Sequence, residues 1–195
     1  MTSVDDRVLA QVDAALCRYF GQQPARASVS FLGAEPIEVL RFEPAPDEQV
    51  LVSCGMSRHP MTSPGAAGVS ATDPRAELLI RVRDPAQAYG RLWRRLAVLA
   101  AAPAVEGVVY RPGMSVDLGE PLSAGSRCTG AVLDRSAVPD VAVAGTAPVS
   151  ALRLIPATAA ELAWARVRGS PALQERWQGA GTDLLDLGRN GVALV

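Results

Sequence analysis

Two side chains that could act together in catalysis lie close to each other in a glycine-containing segment. Ser57 and His59 are two residues apart, and His59 is the only histidine of the 195-residue chain. A serine hydroxyl and an imidazole form the nucleophile and general base of many hydrolases, but the fold, not the sequence spacing, brings such a pair together. No Gly-x-Ser-x-Gly motif surrounds the serine. We predict a turn serine and a loop histidine, and we keep a small hydrolase with His59 as base as an alternative.

Metal and phosphate sites have no support in the sequence. One histidine and three widely separated cysteines (Cys17, Cys54 and Cys128) give no ligand pair at the spacing of a zinc site. The string from Gly65 to Gly68 does not join a predicted strand to a helix, as a phosphate-binding loop does. We therefore predict no metal and no cofactor, and we expect the three cysteines to be reduced thiols of the core.

The segment that carries Ser57 and His59 opens an unusually long connection between two predicted strands. Gly55–Arg75 far exceeds the usual length of about 4–6 residues. Its first part, Gly55–Met61, contains the histidine and two methionines, whereas the rest consists mostly of Gly, Ala, Ser, Thr and Pro. We predict an ordered first part, a mobile tip, and a candidate binding site that includes Gly55, Met56, Ser57, Arg58, His59 and Met61.

The strand that follows this connection has the clearest alternation in the chain. Between Ala76 and Arg83, one face carries Leu78, Ile80 and Val82, and the other carries Glu77, Leu79, Arg81 and Arg83. This pattern predicts one buried face and one face that meets water or a polar partner. We add Glu77 and Arg81 to the candidate binding residues, and we expect each to pair with a neighbouring strand unless a partner covers it.

Four helices are predicted from apolar spacing and capping signals. The first begins after Ser3, which pairs with Asp6, buries Val8, Val12, Leu16 and Tyr19, and ends at Gly21. The second is capped by Asp84, with Pro85 and Gln87 in its first turn and an apolar stripe from Tyr89 to Ala100 that includes Trp93, and it stops at Pro103. The last two are Ala159–Arg168, with a Thr158/Glu161 capping box, and a short helix that begins at Ser170 and ends at Gly179.

Short segments with period-two alternation fill most of the remaining chain. Pairs such as Val29/Phe31, Ile37/Val39 and Val50/Val52 predict three strands, and several more are expected between Gly107 and Pro156, the last of them ending before Pro156. Residues 182–195 are apolar enough to pack back on the body, where we also expect Trp164 and Trp177. The order of elements predicts an α+β fold, a mostly antiparallel or mixed sheet with helices packed on it, in one domain that spans residues 1–195.

Charge and hydropathy exclude several classes of partner. With 19 basic and 20 acidic residues the net charge is −1, and no arginine run exceeds Arg94-Arg95, so we predict no nucleic-acid binding. The acidic N-terminus does not resemble a secretory signal. The longest apolar run, Leu96–Val105, is about half of the ~20 residues that span a bilayer. We therefore predict a cytoplasmic protein that does not bind membranes.

The motifs occur in a familiar order. Residues 50–57 end in Gly-Met-Ser, residues 76–80 carry Glu-Leu, Pro156-x-Thr158-x-x-Glu161 begins a helix, and Asp-Leu recurs in residues 183–190. In order and spacing these motifs resemble the Suppressor of fused domain, in its short single-domain bacterial form.

This resemblance implies a mixed α/β binding domain without enzymatic activity. In animals the family member is a cytoplasmic negative regulator of Hedgehog signalling, which holds a transcription factor by adding its peptide to a sheet. Some bacterial relatives resemble immunity proteins encoded beside polymorphic toxins. The expected partner is therefore a protein or peptide. An immunity protein is one alternative, and a small-ligand-binding module or a hydrolase that uses residues 55–61 is another.

Overall fold

The computed structural model describes residues 4–31, 34–65, 68, 70–83 and 90–194. Within these residues the chain forms four α-helices, seven strands and a short 3₁₀-helix at Met56–Arg58. In chain order they are α1 (Val4–Phe20), β1 (Ala25–Phe31), β2 (Ala34–Ala45), β3 (Glu48–Cys54), β4 (Arg75–Arg83), α2 (Leu92–Glu106), β5 (Ser115–Asp117), β6 (Cys128–Arg135), β7 (Val149–Thr158), α3 (Ala159–Arg168) and α4 (Ser170–Gly179).

The strands form one mixed sheet in the order β1-β2-β3-β4-β7-β6-β5. All neighbouring strands are antiparallel except β4 and β7, which pair in parallel from Arg75↔Val149 to Ile80↔Leu154. The parallel pair is possible because α2 and the β5–β6 hairpin lie between β4 and β7 in the chain and provide the crossover. The predicted fold class, α+β with a mostly antiparallel or mixed sheet, is confirmed.

Helices cover both faces of the sheet. Helix α2 packs on one face, where Leu92, Leu96 and Ala100 meet Leu78 and Ile80 of β4. Helix α1 packs on the opposite face through Val8, Val12 and Leu16. Because side chains alternate along β7, Ile155 and Ala157 lie on this second face as well, where they pack against α3 and α4. We call the two sides the α2 face and the α1 face.

Strand β4 is therefore buried on both faces over most of its length. Its Glu77 side was predicted to meet water or a polar partner, and at Glu77 it meets a polar partner, Ser53 of the neighbouring strand. Leu78, Ile80 and Val82 face α2 as predicted. On the other side Leu79 joins the α1 core and Glu77 is 2% exposed, and only Arg81 and Arg83 reach the surface. A central strand that is covered by helices on both faces carries few polar side chains, whereas a strand of an antiparallel sheet with one solvent-exposed face alternates apolar and polar residues.

Helix α2 continues through Pro103 to Glu106, so the prediction that Pro103 stops it is wrong. A proline inside a helix has no N–H to donate to the carbonyl four residues earlier, here that of Leu99. The hydroxyl of Tyr110 donates to this carbonyl oxygen at 2.9 Å, from a fully packed position in the core. A tertiary contact therefore replaces the helical hydrogen bond that Pro103 cannot make. The residues around Pro103 give no indication of this contact.

Strand β7 also continues through a proline, Pro156, and ends at Thr158, so the predicted end before Pro156 is wrong. The pairing with β4 stops at Leu154, and from there β7 pairs only with β6. Among the described residues no strand pairs with the side of Pro156 that faces away from β6, and its carbonyl there accepts a hydrogen bond from Arg189 Nη2 at 2.9 Å. Proline is tolerated in a strand at such an unpaired position.

The C-terminal part of the chain follows the predictions closely. The Thr158/Glu161 capping box is present, and α3 and α4 have the expected extents. Trp177 and Leu187 are buried, so the last segment packs back on the body up to Leu194. Glu161 is the common anchor: it accepts from Trp177 Nε1, from the backbone of Val192 and from both terminal nitrogens of Arg189.

Some predicted core positions are less buried than expected. Tyr19 is 46% exposed at the end of α1, and Trp93 and Trp164 are only partly buried. Cys54 and Cys128 are buried free thiols, whereas Cys17 is half-buried. The predicted cap residues Ser3, Asp84, Pro85 and Gln87, the helix residue Tyr89 and part of the predicted mobile tip (Ala66, Ala67 and Val69) lie outside the described residues. Among the residues that are described, no helix has the length and apolar character needed to cross a membrane.

Candidate functional site

A buried carboxylate holds the turn that follows β3. Glu77 Oε1 accepts hydrogen bonds from the backbone N–H of Gly55 at 2.9 Å, and from the N–H and hydroxyl of Ser57 at 2.9 and 2.6 Å. Its Oε2 accepts from the Ser53 hydroxyl at 2.5 Å. Ser53, Ser57 and Glu77 are almost completely buried. The Gly-Met-Ser turn is thus fixed from below by one side chain of the neighbouring strand.

The charge of Glu77 is balanced by hydrogen-bond donors and not by a cation. Burial raises the pKa of this carboxyl, because the charged form loses its hydration, and the bonds from Gly55, Ser53 and Ser57 oppose that rise. No ion pair to Glu77 is present in the described part of the chain. Burial of a carboxyl group costs free energy unless its hydrogen bonds are all made. Because the donors to Glu77 come from β3 and the turn, these bonds join the turn and β4 into one rigid unit.

Arg75 fixes the other side of the same turn. Its Nη1 donates to the backbone carbonyls of Ser57 at 2.7 Å and of Arg58 at 2.5 Å, and the side chain is buried. Gly55 begins the turn with φ of 149°, and a Cβ there would lie 3.2 Å from the Ile37 Cα and the Pro36 carbonyl oxygen. Glycine is strongly favoured at this position, because other residues rarely adopt this backbone angle and a Cβ would make tight contacts with β2.

The outer surface of the turn carries charged side chains. Arg58 Nη1 and His59 Nε2 each contact a carboxylate oxygen of Glu35, both at 2.8 Å, and His59 Nδ1 lies 4.0 Å from Asp5. Glu35 is the first polar side chain of β2, and its side chain is 52% exposed. These contacts with Arg58 and His59 keep the pKa of Glu35 below its usual value, with the hydrogen bond from His59 as the main cause. The result is an exposed rim with both signs of charge.

An open cavity of about 310 Å³ lies beside this rim on the α2 face. Ile37 and Met56 form its floor, and Ala100, Ala101 and Ala104 of α2 form its far wall. Small side chains on α2 and the absence of a side chain at Gly55 leave this space between the helix and the turn. The cavity is apolar inside and charged at one edge, as binding sites often are.

Ser57 and His59 do not form a nucleophile and base pair with each other. The Ser57 hydroxyl is buried and donates to Glu77, whereas the His59 ring is at the surface and contacts Glu35. The two side chains therefore belong to different layers of the site. Across the described ranges no group of three or more His, Cys, Asp or Glu side chains could hold a metal ion.

The structure brings most of the predicted site residues together but separates one of them. Arg58 and His59 are at the rim, Met56 and Met61 are packed in the core of the α2 face, and Glu77 lies beneath. Arg81 is four residues further along β4, where it binds Glu48 at the far end of β3. Sequence reasoning missed Glu35 and Arg75, since no spacing links either residue to the turn.

One further feature lies near this turn, the outer edge of β1. This strand is seven residues long, and no strand pairs with its outer side among the described residues. Val29 and Phe31 pack toward the α2 face, whereas Arg26 binds Asp13 of α1 on the other face. The opposite edge, β5, has only three residues. An unpaired strand edge presents a row of free backbone donors and acceptors.

The domain is an α+β fold in which helices cover both faces of a seven-stranded mixed sheet. Glu77 of the central strand holds the Gly-Met-Ser turn through hydrogen bonds. The family model described as Suppressor of fused protein (SUFU) matches residues 33–190. The chain therefore belongs to the Suppressor of fused family.

Solved structures with the same fold come from bacteria and animals. A putative SUFU homologue from Neisseria gonorrhoeae superimposes with a TM-score of 0.69 at 16% identity, covering 95% of this chain and 97% of the other. A chain of the Sufu–Fu complex gives a TM-score of 0.66 at 13% identity, covering 95% and 92%. Drosophila Suppressor of Fused gives 0.66 at 15% identity, and there the chain spans 51% of the longer protein. No curated protein sequence matches the chain.

Proposed function

We propose that this protein is a non-enzymatic, single-domain binding protein of the cytoplasm, which holds a partner protein or peptide. The observation that carries the proposal is the rigid turn: Glu77 and Arg75 fix its inner side, so that Arg58 and His59 are presented with Glu35 beside an apolar cavity. Pre-organised surface groups lower the entropic cost of binding, and the Ser57 hydroxyl is held by Glu77 as part of the support of the turn. One of the similar structures is a complex, named as that of Sufu with Fu.

The edge of β1 supplies a second part of the proposed surface. An extended partner segment can add to this edge through backbone hydrogen bonds, and side chains on its α2 side would then meet Val29 and Phe31. Because β1 leads into β2, the edge and the Glu35 rim lie on consecutive elements, and one partner can use both. Backbone pairing would give affinity, and the charged rim would give specificity.

The test is recovery of a stoichiometric partner from the native host with a tagged form of this chain. Arg58→Glu and His59→Glu reverse or add charge at the rim, and we expect the double variant to lose most of the recovered partner. Arg168→Glu is the matched control, because Arg168 is an exposed residue of α3 that lies outside the proposed surface. Equal recovery of the partner with the double variant, at an unchanged melting temperature, would refute the proposed surface.

The identity of the partner decides between the remaining roles. A toxin encoded beside this gene, neutralised on co-expression, would define an immunity protein, whereas any other partner would define a regulatory scaffold. A small molecule that raises the melting temperature, with no protein recovered in repeated experiments, would contradict the proposal. At 100 times its dissociation constant such a ligand adds about 2.7 kcal/mol to the stability.

A further inference from the structure

A cleft on the α1 face lies between the end of α1 and the C-terminal segment. Its floor is the sheet itself, with Arg81 of β4 and Arg153 of β7, and its walls include Tyr19, Val138 and Leu184. The cleft is thus on the opposite side of the sheet from the cavity beside the Gly55–Met61 turn. The exposure of Tyr19, at 46%, is explained by its position on the wall of this cleft.

The size of the cleft indicates what can enter it. Its volume is about 140 Å³. Pockets that enclose a small-molecule ligand usually measure about 300–1,000 Å³. This cleft has room for one or two side chains, which favours a segment of a polypeptide over a free metabolite or cofactor.

Its two arginines are diagonal neighbours on one face of the sheet. In the parallel pair β4–β7, Leu79 is opposite Arg153, and Arg81 follows Leu79 by two residues on the same side. Both guanidinium groups reach the surface, with side chains 48% and 44% exposed, and most of the other residues that line the cleft are apolar.

The hydrogen-bond donors of these arginines are only partly used. Arg81 binds Glu48 with Nε, at 2.8 Å, and with Nη2. Arg153 has one long contact, 3.5 Å from Nη2 to Asp134. Nη1 of Arg81 and both Nη1 and Nε of Arg153 meet no acceptor in the part of the chain that the structure describes. A carboxylate is the complement of such donors, because guanidinium binds it through two parallel N–H···O bonds.

We propose that this cleft receives a segment of a partner protein in which an acidic side chain stands next to a bulky apolar one. The carboxylate binds Arg153 and the free side of Arg81, and the apolar side chain packs against Tyr19, Val138 and Leu184. The inference rests on the proposed protein-binding function and adds a second contact to it, with a defined chemistry, on the other face of the sheet.

The experiment is selection of random peptides displayed against the purified full chain, followed by affinity measurement on the wild type and on variants. We expect enriched peptides to contain Asp or Glu beside Leu, Ile or Phe, and to bind Arg153→Gln at least tenfold more weakly. Arg168→Gln is the control with unchanged affinity. Arg153→Gln is the primary variant, because it removes only one long contact with Asp134, whereas Arg81→Gln removes two close bonds to Glu48. The melting temperature of each variant confirms that it is folded.

Three outcomes would overturn the proposal. One is the absence of enriched peptides, and another is enrichment of peptides whose affinity is the same for Arg153→Gln. The third is that 3-phenylpropionate, a small apolar carboxylate, shifts the Arg153 Nε–H resonance as strongly as the best peptide, which would define a small-molecule site. These failures are separate from those of the proposed function: a native partner that depends on Arg58 and His59 but not on Arg153 would leave that function standing without this cleft.

Discussion

Glu77 and Ser57 are joined by two hydrogen bonds to the same carboxylate oxygen, at 2.9 Å from the Ser57 backbone N–H and 2.6 Å from its hydroxyl. Ser57 belongs to a connection and Glu77 to the central strand, so this pair couples the presented turn to the most buried part of the sheet. The serine that could have been a nucleophile is thereby part of the support of the turn. The exposed chemistry belongs to its neighbours Arg58 and His59.

The titration of Glu77 gives the first prediction. Burial raises its pKa above the ordinary value of 4.5, so the folded state binds this proton more tightly than the unfolded chain does. Its contribution to stability is therefore complete below pH 4.5 and is lost as pH rises through the folded pKa. We expect the free energy of unfolding of the wild type, minus that of Glu77→Gln, to fall between pH 4 and pH 8 in urea titrations. A difference that grows with pH would contradict this sign.

The pKa of Glu161 is shifted in the opposite direction, so its effect on stability has the opposite pH dependence. Burial would raise its pKa, but the bonds from Arg189, Thr158, Trp177 and Val192 outweigh it and lower the pKa from 4.5 to about 2. The stability it supplies is present above pH 4.5 and is lost as pH falls toward 2, by up to about 3 kcal/mol. We expect the advantage of the wild type over Glu161→Gln in urea unfolding to shrink between pH 6 and pH 2.5. A constant advantage over this range would show that Glu161 is not held as an ion.

The hydrogen bond from the Tyr110 hydroxyl to the Leu99 carbonyl predicts how much stability is lost when that hydroxyl is removed. Tyr110→Phe keeps the ring in the core but leaves the Leu99 carbonyl without the donor that compensates for Pro103. Loss of a buried hydrogen bond with one partner left unsatisfied costs about 1–3 kcal/mol. We expect chemical denaturation to show a loss in this range, whereas Tyr19→Phe, at an exposed tyrosine, changes stability little. A loss of the same size in both variants would mean that the Leu99 bond has no special role.

The turn itself can be tested at Gly55. Gly55→Ala forces a Cβ against Ile37 and Pro36 at a φ of 149°, so we expect a loss of 1–3 kcal/mol, about the cost of one strained backbone position. The matched control is Gly179→Ala at the end of α4, where a Cβ meets nothing within 4 Å and φ is not positive. There alanine is expected to be neutral or to stabilise the helix. Thermal unfolding of the two variants side by side measures the difference.

Local patterns predicted those elements whose signals lie within a few neighbouring residues. The Thr158/Glu161 capping box predicted the start of α3, and alternation around Leu78, Ile80 and Val82 predicted β4. Both prolines misled the prediction, because Pro103 and Pro156 are tolerated through contacts with Tyr110 and Arg189, which are distant from them in sequence or come from another element. Proline excludes a hydrogen bond locally, but only the tertiary structure shows whether that bond is needed.

The candidate site likewise has one part that the sequence predicted and one part that only the tertiary structure determined. Composition and spacing sufficed to single out Gly55–Met61 as an ordered start to a long connection, because a histidine, two methionines and a glycine followed by serine contrast with the small residues after them. Only the folded sheet decided that Glu77 and Arg75 clamp this segment, that Glu35 joins Arg58 and His59, and that Arg81 lies in a separate cleft with Arg153. Secondary structure follows from short-range sterics and hydrogen bonding, whereas these neighbours are set by strand order and register, which depend on the burial of the whole sheet between its helices.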